Sequence, residues 1–236
     1  MDPERGWTTW HGSCSARCVS GARSGCVPPD PMAIPAPTPS TTVAPNELAR
    51  HPGLVAGILV GGEARRLGGF PKGLLRGPSG DSLVDALGGA LRALQIPYVH
   101  VGRHPAYAIC GEPTLDDERG GIGPLGGLLT LFRHAGSRDV LALACGLPFV
   151  SIELLGRLAT ACPGAAAVAP RRARGWEPLF ARYAAREALP IAERRAAAGR
   201  CSLQGLLDEL DARVLPLGPE DDPLLDDWDS PGDVHT

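Results

Sequence analysis

Residues 54–75 read LVAGILVGGEARRLGGFPKGLL. The opening run, Leu54-Val55-Ala56-Gly57-Ile58-Leu59-Val60, is apolar and partly β-branched. At that length it predicts a strand buried on both faces of a parallel sheet. The run breaks into Gly61-Gly62, glycines recur at Gly68 and Gly69, and Arg65, Arg66 and Lys72 add three cations to the same loop. A strand that empties into a glycine-rich basic loop suits polyphosphate. Glycine lets backbone N–H groups approach the oxygens, and the cations offset their charge. Two glycines alone would serve an ordinary turn equally well; the cations tip the reading to phosphate.

Outward from this stretch the chain alternates. Asp81-Ser82 caps an apolar pattern that predicts a helix to about Leu94. Strands follow at Ile96–Val101 and Ile109–Leu115, and a helix from Leu125 to about Arg133 with Pro124 in its first turn. Asp139–Cys145 reads as a central strand, Ser151–Ala161 as a helix, and Ala165–Pro170 and Glu177–Tyr183 as strands joined by a basic turn, Arg171–Gly175. Helices are predicted over Arg186–Gly199 and Ser202–Leu210, with an edge strand at Val214–Leu217. Strands alternating with helices give an α/β fold, a three-layer, mostly parallel, Rossmann-like sheet. In such sheets ligands bind beyond the C-terminal strand ends. That places the 61–72 loop, His100, Asp117, Gly123 and Gly146 on one rim.

Composition narrows the partners. A net charge of −3 and 5% aromatic residues give no basis for nucleic acid or an anionic membrane as ligand. No apolar run approaches the roughly 20 residues that span a bilayer. The N-terminus lacks the apolar core of a secretory signal, so a cytoplasmic location is expected. Seven cysteines form no disulfide framework; Cys110, Cys145, Cys162 and Cys201 read as small apolar fillers in a reducing compartment.

Residues 1–50 read as a disordered N-terminal extension and Pro-rich linker, and 51–236 as the folded domain. The segment PPDPMAIPAPTPSTTVAP from Pro28 is too rich in proline for a regular element. His11, Cys14, Cys18 and Cys26 are zinc-ligand types, but their spacing matches no standard knuckle and the composition favours disorder. Translation starting at Met32 would leave residues 1–31 out of the native protein; its intact mass distinguishes the two.

The loop is neither a Walker motif nor a GxGxxG fingerprint, because Lys72 lacks a following Ser or Thr and the glycines are spaced differently. Leu59-Val60-Gly61-Gly62-Glu63-Ala64-Arg65-Arg66-Leu67-Gly68-Gly69-Phe70-Pro71-Lys72 instead resembles the LAGGxxxRMGxxK signature of the molybdenum cofactor guanylyltransferases, which are NTP-transferase-like nucleotidyltransferases. Asp117 with Gly123-Pro124-Leu125-Gly126-Gly127 is similar to that family's D…GPLxG, Cys145-Gly146-Leu147-Pro148 to its CDxP, and Glu177-Pro178-Leu179-Phe180 to its HP-apolar strand. Asp229-Ser230-Pro231-Gly232-Asp233 is similar to its terminal NTPED.

The resemblance implies a nucleotide-diphospho-sugar transferase-like fold. It also implies transfer of GMP from GTP to molybdenum-molybdopterin, with release of pyrophosphate. It assigns Lys72 and Arg66 to catalysis, and Leu59, Val60, Gly61, Gly62, Lys72, His100 and Asp117 to the nucleotide. Arg66, Gly69, Gly123 and Gly127 go to the pterin substrate. Mg2+ is the implied cofactor, GTP and molybdopterin the ligands, and molybdoenzymes or other proteins of the cofactor pathway further partners. The chain departs from the pattern on one rim. Gly146 replaces the metal-binding Asp, leaving Asp117 as the candidate carboxylate, and His100 replaces an Asn. Pro71 replaces an Asp, and Asp227 and Asp229 replace two asparagines. These departures leave two alternatives open: a non-catalytic or weakly active relative that binds nucleotide or molybdopterin as a carrier or regulator, and a nucleotidyltransferase for another acceptor.

Overall fold

A seven-stranded sheet carries the molecule, in the order Thr114–Leu115 (β3), Tyr98–Val101 (β2), Leu54–Leu59 (β1), Asp139–Ala144 (β4), Phe180–Ala184 (β8), Ala167–Ala169 (β5) and Arg213–Val214 (β9). The computed structural model describes residues 53–62, 69–102, 104–117 and 120–228. The expectations for residues 1–50, for Arg66 and for Asp229 lie outside these. Strands β1, β2, β3 and β4 all run parallel. Strand β8 (Phe180–Ala184) is antiparallel to both β4 and β5 (Ala167–Ala169), and β9 (Arg213–Val214) lies parallel to β5 at the edge. One reversed strand therefore interrupts an otherwise parallel sheet.

The central strands are apolar throughout because both faces are covered. All six residues of β1 are buried. Side chains alternate between faces along a strand. Val55 and Leu59 of β1, with Val140 and Ala142 of β4, therefore pack on the helices α2 (Pro124–Ala135), α4 (Ala185–Ala197) and α5 (Leu203–Glu209). Leu54, Ala56, Ile58, Leu141 and Leu143 pack on α1 (Leu83–Ala93) and α3 (Ile152–Thr160). Gly57 sets the approach of α2 to the sheet: a Cβ there would lie 2.3 Å from Cδ2 of Leu131.

The predicted helix starts are present. Ser82 accepts from the Asp85 N–H and caps α1, Ser151 accepts from Leu154 and caps α3, and Ser202 accepts from Gly205 and caps α5. Three local readings are corrected. Residues Pro105–Cys110 form a 3-10 helix, and only Thr114–Leu115 pair as β3. Gly111 at φ 72° turns the chain, and Pro113 has no N–H to give a ladder. The basic turn is itself a hairpin of β6 (Arg171–Arg172) and β7 (Gly175–Trp176), with the Arg171 guanidinium stacked 5.1 Å over the Trp176 ring. Among the free cysteines described, Cys162 is exposed rather than a filler. It sits at φ 44° in the turn that follows α3.

Candidate active site

From β1 the chain crosses to β2 and β3 on one side, and the sheet resumes at β4 on the other. The crevice at this reversal is where open α/β sheets bind ligands. A cavity of about 500 Å³ opens there, walled by Leu59, Gly61 and Gly62 after β1, Val101 and Gly102 after β2, and Ala144, Cys145 and Gly146 after β4. Asp117, Gly121, Gly123, Pro124 and Gly127 form another side, and Lys72, Leu179 and Asp227 complete the wall. The exits of β1 and β2 are drawn tightly together. Gly102 has φ 115°, and a Cβ on it would fall 2.5 Å from the Gly61 nitrogen.

The N-terminus of α2 faces this space. Its N-cap, Gly123, has φ 65° and ψ −153° and supplies no side-chain cap, a conformation open in practice to glycine alone. A twelve-residue helix that presents its first turn to a cavity offers backbone N–H groups and the positive end of its dipole to an anion.

Lys72 brings the charge. It begins a 3-10 turn, Lys72–Leu74, entered from Pro71. The turn is fixed from below by Tyr107, whose buried hydroxyl accepts from the Gly73 N–H at 2.9 Å and is hydrogen-bonded with Cys145. Burial pushes the Tyr107 hydroxyl far above its ordinary value and raises the Cys145 thiol to about 11. Both stay protonated near neutral pH, so Cys145 is a packing thiol and not a nucleophile. The Lys72 ammonium ends 2.6 Å from Oδ1 of Asp227.

Asp227 arrives from the C-terminal segment, which is held at several points. Arg157 pairs with Asp221 at 2.7 Å. Arg172 reaches Asp222 at 2.9 Å and Asp226 at 2.6 Å. Leu225 and Trp228 are buried, and the Trp228 N–H donates to the Gly146 carbonyl at 3.0 Å. Glu177 lies beside this cluster. Its carboxyl is raised by burial first, opposed by Arg172, with Asp227 and Asp222 adding to the rise.

Of the residues singled out from the sequence, Leu59, Gly61, Gly62, Lys72, Asp117, Gly123, Gly127 and Gly146 share the cavity wall. Val60 and Gly69 do not: Val60 is packed in the core, and Gly69 is exposed at φ 84°. His100 is not on the rim either. It sits mid-strand opposite Ile58, 1% exposed. Its ring packs at 6.1 Å from both Tyr98 and Tyr107, and its Nδ1 has no hydrogen-bond partner. An alternate residue of a buried strand points away from the face that its neighbours Val99 and Val101 present to α2. Two residues were missed as contributors. Tyr107 lies 34 positions from Gly73 in a segment with no motif, and Asp227 reads from the sequence only as the loss of an amide.

Comparison with known proteins agrees with this geometry. Residues 56–213 match the family model described as MobA-like NTP transferase domain. The molybdenum cofactor guanylyltransferase of Pseudomonas entomophila is 34% identical over 181 residues, which cover 74% of this chain and 92% of that protein. The enzyme of the same description from Pseudomonas putida is 34% identical over 158 residues, 64% of this chain and 80% of that one. Among solved structures, the molybdopterin-guanine dinucleotide biosynthesis protein A of Archaeoglobus fulgidus superposes with a TM-score of 0.63 at 24% identity, covering 76% of this chain and 94% of that one. The 2-C-methyl-D-erythritol 4-phosphate cytidylyltransferase of Thermus thermophilus superposes at 0.56 and 16% identity, over 77% and 95%. These last two likenesses concern the fold, that of nucleotide-diphospho-sugar transferases. The chain belongs to the family of MobA-like NTP transferase domains.

Proposed function

We propose that this chain transfers GMP from GTP to the phosphate of molybdenum-loaded molybdopterin, releasing pyrophosphate. The observation that carries the reading is the convergence of Lys72 and the α2 N-terminus on the switch-point cavity. The choice of guanylyl transfer and of the pterin acceptor is supported by the relatives described as molybdenum cofactor guanylyltransferases.

An oxygen of the acceptor phosphate forms a bond to the α-phosphorus of GTP as the bond from that phosphorus to the β-bridging oxygen breaks. Pyrophosphate leaves with the electron pair. The protein's work is placement and neutralisation of charge on the phosphate oxygens. Lys72 lies against the phosphates, the Gly61-Gly62 backbone approaches the nucleotide, and the α2 N-terminus faces an anionic group. Arg66, Gly69, Gly123 and Gly127 are assigned to the pterin, and Val60 contributes only main chain. His100 packs in the core against Tyr107, whose hydroxyl holds the turn that carries Lys72. The residues fit a divalent cation such as Mg2+: Asp227 and Asp117 supply carboxylates to one cavity, and the Asp227 carboxylate occupies the space that a side chain at Gly146 would enter. Such a cation, when bound, withdraws charge from the phosphate oxygens and so eases departure of pyrophosphate. The carrier alternative drew on the missing carboxylate at position 146; Asp227 brings a carboxylate to the same place, which favours turnover.

On this reading residues 51–236 are the transferase domain preceded by a linker, working in the cytoplasm and passing product to molybdoenzymes. Pyrophosphate release tests the reaction. It should require GTP, Mg2+ and molybdenum-molybdopterin together, and release that ignores the acceptor would contradict it.

A further inference from the structure

Gly146 lies in the turn just after β4, where the family resemblance expects an aspartate, yet the space that its side chain would enter is taken. A Cβ built there would lie 2.0 Å from Cε of Lys72, 2.3 Å from its Nζ and 2.2 Å from Oδ1 of Asp227. All three distances are far inside van der Waals contact. A side chain at 146 and the Lys72–Asp227 pair as seated here therefore exclude one another, unless those two flexible ends move. The pair's seat is part of the fold. The Trp228 N–H on the Gly146 carbonyl fixes the main chain next to Asp227, and the Arg172 contacts to Asp222 and Asp226 fix the residues before it.

We propose that Asp227 is a transposed carboxylate: it holds the divalent cation with the nucleotide's phosphates in place of a carboxylate at position 146, exchanging Lys72 for the cation when the triphosphate arrives. The argument is one of charge. Before nucleotide binds, the ammonium and carboxylate neutralise each other at 2.6 Å. A triphosphate entering the cavity competes for the ammonium and brings phosphate oxygens of the same sign beside the Asp227 carboxylate. A divalent cation bound by one or two carboxylates together with phosphate oxygens is the arrangement that Mg2+ favours, and it resolves that repulsion. An asparagine at this position, as the resemblance expects, would bring neither the negative charge nor the ion pair.

The inference rests on the nucleotidyl-transfer reading, and the test separates the two. GTP binding is measured by calorimetry with and without Mg2+. Mn2+ binding in the presence of GTP is followed by its electron paramagnetic resonance signal. Both use the full chain, Asp227→Asn, and the double variant Asp227→Asn with Gly146→Asp. The wild type should bind GTP at least about tenfold more tightly with Mg2+. Asp227→Asn should lose most of that gain and most of the GTP-dependent Mn2+ binding, and the double variant should recover both. Asp227→Asn with an undiminished Mg2+ gain would overturn the transposition while leaving the nucleotide site standing, and would reduce Asp227 to a counter-ion of Lys72. Absence of GTP binding to the wild type under either condition would sink the nucleotide reading, and the inference with it.

Discussion

Lys72 Nζ and Asp227 Oδ1 meet at 2.6 Å across 155 residues of sequence, so the phosphate loop and the C-terminal segment close on each other directly above Gly146. Both side chains keep contact with solvent, at 18% and 36% exposure. The pair accordingly contributes little to folding, about 0–1 kcal/mol. Its value lies in the site. Lys72→Ala should leave thermal stability nearly unchanged and weaken GTP binding by about tenfold to a hundredfold, as for loss of one charge-assisted contact. Titration calorimetry of the folded variant measures this, and unchanged GTP affinity would remove the loop from the nucleotide site.

Tyr107 gives a different signature because it acts through Gly73. Tyr107→Phe removes the acceptor of a buried N–H and should cost about 1–3 kcal/mol of stability, visible as a lower Tm. By loosening the turn that carries Lys72, it should also raise the Kd for GTP without touching nucleotide. A variant with lowered Tm and wild-type GTP affinity would show that the turn holds its shape without this contact.

His100 makes stability depend on pH. Burial holds its imidazole below the ordinary value of 6.5, only partly opposed by Glu112 and Asp85. The unfolded chain takes up the proton more readily than the folded one, so this contribution is complete above pH 6.5 and is lost as pH falls from there toward the depressed folded value. The slope should reach at most about 1.4 kcal/mol per pH unit. Urea unfolding between pH 7.5 and 5 should show it in the wild type, with a flatter profile in His100→Phe.

The C-terminal segment depends on Arg172. Its guanidinium joins Asp222, Asp226, Glu177 and the Leu225 carbonyl. Arg172→Ala should therefore speed amide hydrogen exchange across residues 221–228 by about tenfold or more, while the exchange of β1 and β4 stays as in the wild type. Equal acceleration in the central strands would mean that Arg172 supports the whole fold.

Much of this was legible in the sequence because the relevant physics is local. The apolar runs of β1 and β4 announce strands covered on both faces, and Ser82, Ser151 and Ser202 announce helix starts, since a hydroxyl that can reach a free N–H acts within a single turn. Gly61, Gly62, Lys72 and Gly123 were found by type and spacing. The long-range contacts were not visible. Nothing in the chain says that Asp227 would meet Lys72, or that Tyr107 would support Gly73. Register decided the rest. His100 and Val101 are adjacent in sequence, yet opposite faces of one strand send the first into the core and place the second on the cavity wall. A proline and a left-handed glycine shortened β3, where apolar composition alone favoured a longer strand.

Product formation tests the central claim most directly. Purified protein is incubated with GTP, Mg2+ and molybdenum-molybdopterin, and the pterin fraction is read by mass spectrometry, with a parallel incubation in CTP. A pterin heavier by one guanylyl group, formed with GTP and not matched by a cytidylyl product, is the result predicted. Unmodified pterin with GTP, from protein that binds the nucleotide, would contradict guanylyl transfer.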